Sequence, residues 1–341
     1  MGIHWTVMAD DRELAKGETK VNAAPHAVGY LTLPLDAIKS IEPGVAYYSH
    51  LTFLRPDGSE IAQRAIELLP RGPAPEPVRA SQSQVRVRSG KTAIVTAGSA
   101  TYEFDPASTR LVSASNGTLK LITGSRFTVW RPLGPNDVVL LRNRPADLDL
   151  NKYTTAVKSW KVTESASGVR IEAEAEHTVN EKNGFAVSYL YDVGRDGVLR
   201  VSYSVRPRVE MPWLPEIGME FETAAGLDNL RWLGLGPLDA YPNEKTAPIL
   251  GVYAGPAGSD TVKGTKSVRW AEVTSGQRTG VRVEASPYIR LEGRNLRVLP
   301  SVVGRSEKNR RPEAPEYRLD TGASATFQGG FSMSLMPREK K

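Results

Sequence analysis

Val169-Arg170-Ile171-Glu172-Ala173-Glu174-Ala175-Glu176 alternates apolar and polar residues at every step, and two more alternating runs follow it. Asn183-Gly184 precedes Phe185-Ala186-Val187-Ser188-Tyr189-Leu190-Tyr191, and Asp196-Gly197 precedes Val198-Leu199-Arg200-Val201-Ser202-Tyr203-Ser204-Val205. Successive side chains of a strand point to opposite faces, so a period of two marks strands with one dry and one wet face. Asn-Gly and Asp-Gly supply the positive φ that tight hairpins need. The three runs read as an antiparallel meander. Working outward, Val85-Arg86-Val87-Arg88 and Val281-Arg282-Val283-Glu284-Ala285 repeat the pattern, and Asp57-Gly58 and Asn116-Gly117 repeat the turn signal. Helical periodicity is scarce; Pro34 to Ile41 is the best short candidate. The chain is predicted to be all-β.

Composition bounds what such a chain does. It has 341 residues, 40% of them hydrophobic and 24% charged, with a mean hydropathy of −0.34. That describes a globular protein with ample core material and excludes a fibrous or wholly disordered one. No run approaches ~18 consecutive apolar residues, so no transmembrane helix is expected and no membrane partner. The first residues, MGIHWTVMADDRELAKGE, lack the basic start and apolar stretch of a signal peptide, leaving cytoplasm and periplasm equally open. There is no cysteine, which excludes thiolate catalysis, disulfides and Cys-based zinc sites. The histidines, His4, His26, His50 and His177, are too scattered for a metal signature, and no metal site is expected. The net charge is +6, but bases and acids are interleaved and the densest basic cluster is only Lys308-Asn309-Arg310-Arg311. No nucleic-acid partner is expected, since such a binder concentrates its charge on one face.

One boundary stands out. Residues 70–77 read PRGPAPEP, and proline removes amide donors and fixes φ, so the segment resists joining a sheet. The expected organisation is a small block over 1–69, a proline-rich linker over 70–81 and a large block over 82–341. The small block has strand-like pieces at Ile3 to Met8, Gly29 to Leu33, Ala46 to Leu54 and Ile61 to Leu68. It reads as an immunoglobulin-like sandwich, incomplete at this length because such a fold takes about 100 residues.

Several landmarks then point to a family. Phe127-Thr128-Val129-Trp130-Arg131-Pro132, followed by Asn136-Asp137, is similar to an F-W-R-A-P-x-D-N-D stretch. Pro212-Trp213-Leu214-Pro215-Glu216-Ile217-Gly218 is similar to an L-P-R-I-G strand. Leu230-Arg231-Trp232-Leu233-Gly234-Leu235-Gly236-Pro237 with Tyr241-Pro242-Asn243 is similar to W-x-G-x-G-P-x-x-x-Y-x-D, and Pro315-Glu316-Tyr317-Arg318-Leu319 to a closing strand. In this order they resemble the small-chain domain of glycoside hydrolase family 2 β-galactosidases, over about 82–337. Residues from His4 onward resemble the immunoglobulin-like domain that precedes it. The resemblance implies an immunoglobulin-like β-sandwich followed by a galactose-mutarotase-like β-supersandwich. It implies no cofactor. Its main implied partner is a catalytic (β/α)₈ barrel, in the same or another chain, which carries the acid and nucleophile. This chain has no βαβ rhythm and lacks the ~200–250 residues a barrel needs.

The candidate residues follow. Trp130, Arg131, Asn136, Asp137 and Asn243 are the candidate carbohydrate-binding set: an aromatic face stacks on a pyranose, and Arg and Asn/Asp pair with its hydroxyls. The alternative is a turn held by its own side-chain network with Trp130 in the core. Trp232, Gly234, Gly236 and Pro237 read as structural. Glu172, Glu174 and Glu176 share a face and read as solvated rather than as a catalytic pair. His177 reads as structural, the alternative being a mutarotase-type acid. No catalytic residue is assigned. Two departures reduce the expected sugar site: the Asp–Arg pair of Y-x-D-R is Asn243-Glu244-Lys245 here, and Val303 to Asn309 lacks the tryptophan of G-G-D-D-S-W. The expected function is an accessory, carbohydrate-binding region that packs on a β-galactosidase barrel, binds galactosides weakly and leaves homo-oligomerisation open. The rival is a free-standing hydrolase or sugar isomerase using the concave face of the large sandwich.

Overall fold

The computed structural model describes residues 1–22, 24, 26–69, 84–131, 148–244, 246–276, 278–284, 286–304 and 315–337. The proline-rich linker and the positions Asn136 and Asp137 lie outside them.

The small block contributes one antiparallel sheet, sheet I, from β1 (Gly2–Ala9), β2 (Arg12–Lys20), β3 (Tyr47–Leu54) and β4 (Glu60–Leu69), in the order β2-β1-β3-β4. The large block contributes β5 (Val85–Ser89), β6 (Ala93–Ala97), β7 (Ala100–Asp105), β8 (Arg110–Asn116), β9 (Leu119–Thr128), β10 (Thr154–Ser165), β11 (Gly168–Thr178), β12 (Gly184–Gly194) and β13 (Leu199–Arg208). It continues with β14 (Glu216–Thr223), β15 (Asn229–Gly236), β16 (Ile249–Pro256), β17 (Lys266–Thr274), β18 (Gly280–Glu284), β19 (Tyr288–Glu292), β20 (Asn295–Val302) and β21 (Phe327–Met336). Sheet II runs β5-β6-β7-β8-β9-β14-β20-β19. Sheet III runs β10-β11-β12-β13-β21-β18-β17-β15-β16. The start of β17 pairs with β19 and its end with β18, so this strand joins the two layers.

The meander of β11, β12 and β13 is present as the alternation predicts. Val169, Ile171, Ala173 and Ala175 are buried, while Arg170, Glu172 and Glu174 are exposed. The buried face meets sheet II: Phe104 lies 5.0 Å from Tyr191 and Phe221 5.7 Å from Phe331, ring centre to ring centre. Tyrosine hydroxyls cross the interface to backbone carbonyls, Tyr102 to Gly197 at 2.7 Å and Tyr191 to Thr109 at 2.9 Å. A buried phenol keeps its ring dry only if its hydroxyl finds such an acceptor.

Four local expectations are corrected. Residues 29–33 form no strand: β1 pairs directly with β3, and the side chains of Val28 and Tyr30 lie in solvent. The helical candidate at 34–41 is a single 3₁₀ turn, Leu35–Ala37. Residues 315–319 are not a strand either; they open with a 3₁₀ turn at Pro315–Tyr317, and β21 is the closing strand. Asn183-Gly184 ends its turn rather than making it, since Gly184 already belongs to β12 and Asn180 Oδ1 accepts the Asn183 amide at 2.9 Å.

Sheet I sits on the β15–β17 end of sheet III. Ala46, Tyr48, Leu233 and Trp270 form a small buried cluster. The Arg231 and Arg282 guanidinium carbons lie 5.0 and 4.5 Å from the Trp270 ring centre, and Glu272 accepts from both arginines. Arg231 also reaches Asp11 of sheet I, and Arg269 pairs with Glu67 at 2.6 Å.

Candidate functional site

On β14, Ile217, Met219 and Phe221 face the core, which sends Glu216 and Glu220 to the opposite face of sheet II. That face is not wet. Glu216 is 0% exposed, and Glu220, Arg290 and Arg297 are almost as buried. Register explains the contacts: Arg126 stands opposite Glu220, Glu220 opposite Arg297, and Arg297 opposite Arg290, so one rung crosses four strands. Arg126 Nε donates to Glu220 at 2.8 Å, and Arg297 Nε donates to Glu220 at 2.7 Å. Arg297 Nη1 donates to Glu216 at 2.8 Å, Arg290 Nη2 donates to Glu216 at 2.7 Å, and Arg290 reaches Thr265 Oγ1 at 3.0 Å. Burial opposes the Arg297 charge, but Glu216 and Glu220 outweigh it and hold its pKa above the ordinary value. Between the two acids stands Gly218, where an added Cβ would lie 2.1 Å from the Val298 carbonyl oxygen. Only glycine lets β14 and β20 approach so closely there.

The seam ends where the sequence landmarks meet. Trp130 follows β9, and its carbonyl accepts from Arg297 Nη1 at 3.3 Å and from Asn151 Nδ2 at 2.8 Å. Its ring belongs to the core, 6% exposed, and Arg131 beside it is half-buried. Asn243 is exposed and abuts Gly304, whose amide donates to the Tyr317 carbonyl at 2.7 Å. Val303, next to Gly304, bonds the Pro215 carbonyl beside Glu216 at 3.1 Å. Trp130, Arg131 and Asn243 thus lie at one end of sheet II, around the start of β14.

Lys266 closes the same end. It is fully buried, with Nζ donating to the Pro237 carbonyl at 2.7 Å, 3.9 Å from Asp239 and 5.5 Å from the Trp232 ring centre. Burial lowers its pKa, and Asp239 only partly offsets that. The glycines of the Trp232–Pro237 stretch serve this packing. A Cβ at Gly234 would lie 2.1 Å from the Ser267 carbonyl oxygen, and one at Gly236 2.7 Å from the Tyr253 ring.

His177 lies elsewhere, between the layers. It donates or accepts at Tyr189 Oη (2.7 Å) and Thr155 Oγ1 (3.0 Å), and its ring centre is 4.4 Å from that of Tyr153. Burial, aided by the nearby Arg110 charge, lowers its pKa to about 4. It is a neutral core histidine with both ring nitrogens occupied. Glu172 and Glu174 stand on the outer face of sheet III, and Glu172 is paired with Lys161 at 3.7 Å. Among the described residues, no group of three His, Asp or Glu side chains is placed to hold a metal, and no helix is long and apolar enough to cross a membrane. The seam of Arg126, Glu216, Glu220, Arg290 and Arg297 is the feature the sequence reading missed.

Residues 96–296, more than half of the chain, match the family described as β-galactosidase small chain. The chain belongs to that family. Among relatives, it is 25% identical over 313 residues to the β-galactosidase of Priestia megaterium, covering 84% of this chain and 29% of the relative. It is 28% identical over 168 residues to β-galactosidase BgaC of Bifidobacterium adolescentis, covering 46% of this chain and 16% of the relative. This small-chain protein therefore spans less than a third of the β-galactosidases it matches. Among solved structures, a galactose mutarotase related enzyme from Lactobacillus acidophilus overlaps 76% of this chain and 100% of its own, at a TM-score of 0.38 and 12% identity. A putative mutarotase, YeaD, from Salmonella typhimurium overlaps 76% of this chain and 95% of its own, at a TM-score of 0.42 and 10% identity.

Proposed function

We propose that this small-chain protein is an accessory, carbohydrate-binding region of a glycoside hydrolase family 2 β-galactosidase, which packs on and completes a catalytic barrel in the same or another chain. The observation that carries the reading is proportion: a chain matched over 84% of its length corresponds to 29% of a β-galactosidase. The seam supports it chemically. Glu216 and Glu220 each accept from two guanidiniums, so their oxygens are spent on tying β9, β14, β19 and β20 together. The end of sheet II bearing Arg131 and Asn243 forms one wall of the sugar site in this reading, with the Trp130 ring packed in the core beneath it rather than facing the sugar. An isolated wall holds a small hydrated monosaccharide poorly, with a dissociation constant of about 1 mM or weaker for galactose.

The test uses the purified chain with an aryl β-galactoside. The expected result is no turnover, together with co-elution in size-exclusion chromatography when a β-galactosidase barrel lacking its small-chain region is added. Turnover by the chain alone, lost on substituting one of its own acids, would establish the rival free-standing enzyme instead.

A further inference from the structure

The outer face of sheet III carries a trough of about 870 Å³ that the proposed sugar wall does not use. Strand register shows how it is built. One rung places Ser159, Glu174, Ser188, Ser204 and Gln328 side by side across β10, β11, β12, β13 and β21. The next outward-facing rung places Lys161, Glu172, Leu190, Ser202 and Gly330 on the same strands. Four inter-strand steps of ~4.8 Å make the trough about 19 Å long, and one two-residue step makes it about 7 Å wide. Its depth comes from residue size. The serines, the glycine and Leu190 are the short side chains of these rungs, set beside the longer Lys161, Glu172, Glu174 and Gln328, while the following rung carries Arg170, Asp192 and Arg200, with Arg170 and Asp192 paired at 2.8 Å.

The chemistry of the floor selects the ligand. Among the described residues, Ser159, Ser188, Ser202 and Ser204 spend their hydroxyls on no other part of the chain, unlike Ser113 and Ser286, which do. Each offers a donor and an acceptor to whatever lies above it. Leu190, Ala173, Tyr189 and Tyr203 also line the trough, so its surface mixes apolar carbon with the polar groups, as the C–H and O–H faces of a sugar do. An anion would face Glu172 and Glu174 with a single lysine already paired to Glu172. A neutral, extended, polyhydroxylated chain matches the length, the flat floor and the mixed donors and acceptors.

We propose that this trough binds a linear neutral oligosaccharide of about four units, lying across the five strands, at a site separate from the sheet II wall. The site is independent of the β-galactosidase reading.

The experiment is titration calorimetry of the purified chain with β-1,4-galactotetraose, with cellotetraose and with galactose, on the parent and on Ser188→Arg, Glu174→Gln and Asn243→Ala. Both trough substitutions are on a solvent face, and unchanged melting curves confirm folding. The expected result is that at least one tetrasaccharide binds about tenfold or more tighter than galactose, and that Ser188→Arg and Glu174→Gln weaken it about tenfold while Asn243→Ala does not. No tetrasaccharide binding, binding no tighter than galactose, or binding lost in Asn243→Ala but kept in both trough variants would each overturn the proposal. The aryl-galactoside and co-elution assays report on the β-galactosidase reading without involving this face.

Discussion

Replacing Glu216 by glutamine tests whether the buried seam holds sheet II together. Glu216 has no exposed surface and accepts from Arg290 at 2.7 Å and Arg297 at 2.8 Å. The amide of glutamine keeps one acceptor but turns a donor toward the second guanidinium. Arg297 retains Glu220 at 2.7 Å, whereas Arg290 retains only the neutral Thr265 hydroxyl and a distant Glu292 at 4.0 Å. Most of the cost therefore falls on Arg290, a cation left in a dry site. Removing one partner of a buried ion pair costs about 3–5 kcal/mol, and Glu216→Gln is expected in that range. The control is Glu172→Gln, which loses a solvent-exposed contact to Lys161 at 3.7 Å and is expected to cost about 0–1 kcal/mol. Adding Arg290→Leu to Glu216→Leu removes the stranded charge and is expected to recover most of the loss. Urea unfolding followed by far-UV circular dichroism, at one pH and salt, measures all four variants. If Glu216→Gln lies within about 1 kcal/mol of the parent, the seam is not a stabilising frame and the reasoning fails.

Two further perturbations follow. His177 has a folded pKa of about 4 against an ordinary value of 6.5, so above pH 6.5 it is neutral folded or unfolded, and between those values only the unfolded chain takes up the proton. Its contribution is expected to cost stability as pH falls from 6.5 toward 4, by about 3 kcal/mol in all, and parallel urea curves at pH 7 and pH 5 should show a smaller loss for His177→Gln than for the parent. Gly234→Ala pushes a methyl group against the Ser267 carbonyl oxygen, where an ideal Cβ would lie at 2.1 Å, so β15 must separate from β17. A loss of about 2 kcal/mol or more is expected in thermal unfolding, with no comparable effect from an alanine at Gly276, where an added Cβ meets nothing.

The meander was legible because one face of each strand is wet, and the phase of β11 extends to His177, which falls in step with Val169, Ile171, Ala173 and Ala175 and is buried with them. The same rule misleads on β14. Glu216-Ile217-Gly218-Met219-Glu220-Phe221 alternates just as cleanly, yet its polar face is covered. Alternation reports which residues share a face, not whether water reaches it. The partners that make burial tolerable stand 70 or more positions away in sequence, Glu216 and Arg290 by 74 and Arg126 and Glu220 by 94. Strand β2 failed for the opposite reason. As an edge strand reading Arg12-Glu13-Leu14-Ala15-Lys16-Gly17-Glu18-Thr19-Lys20 it carries no apolar stripe; its side chains make surface ion pairs, such as Glu18 with His4 at 3.2 Å, and Gly17 leaves room for the Trp5 ring. Charge along an edge is how a strand avoids unwanted pairing, so the feature that hides it from the pattern also protects it.

Of the candidate sugar-site residues, Trp130 and Asn243 were legible as landmarks, but the buried charge that runs between their segments was not. From the Trp130 carbonyl the contacts run through Arg297, Glu216, Arg290 and Thr265, whose carbonyl accepts the Ala240 amide; Lys266 next to it holds the Pro237 carbonyl. Segments from β9, β14, β17, β19, β20 and the turn after β15 thus meet through directional bonds rather than through interchangeable methyl groups. Apolar packing would supply similar stability and tolerate sliding; guanidinium–carboxylate pairs have fixed angles and distances and do not. A buried ionic rung is thus a means of holding the strand ends of sheet II in register, which the proposed role of this end as a sugar-site wall would require.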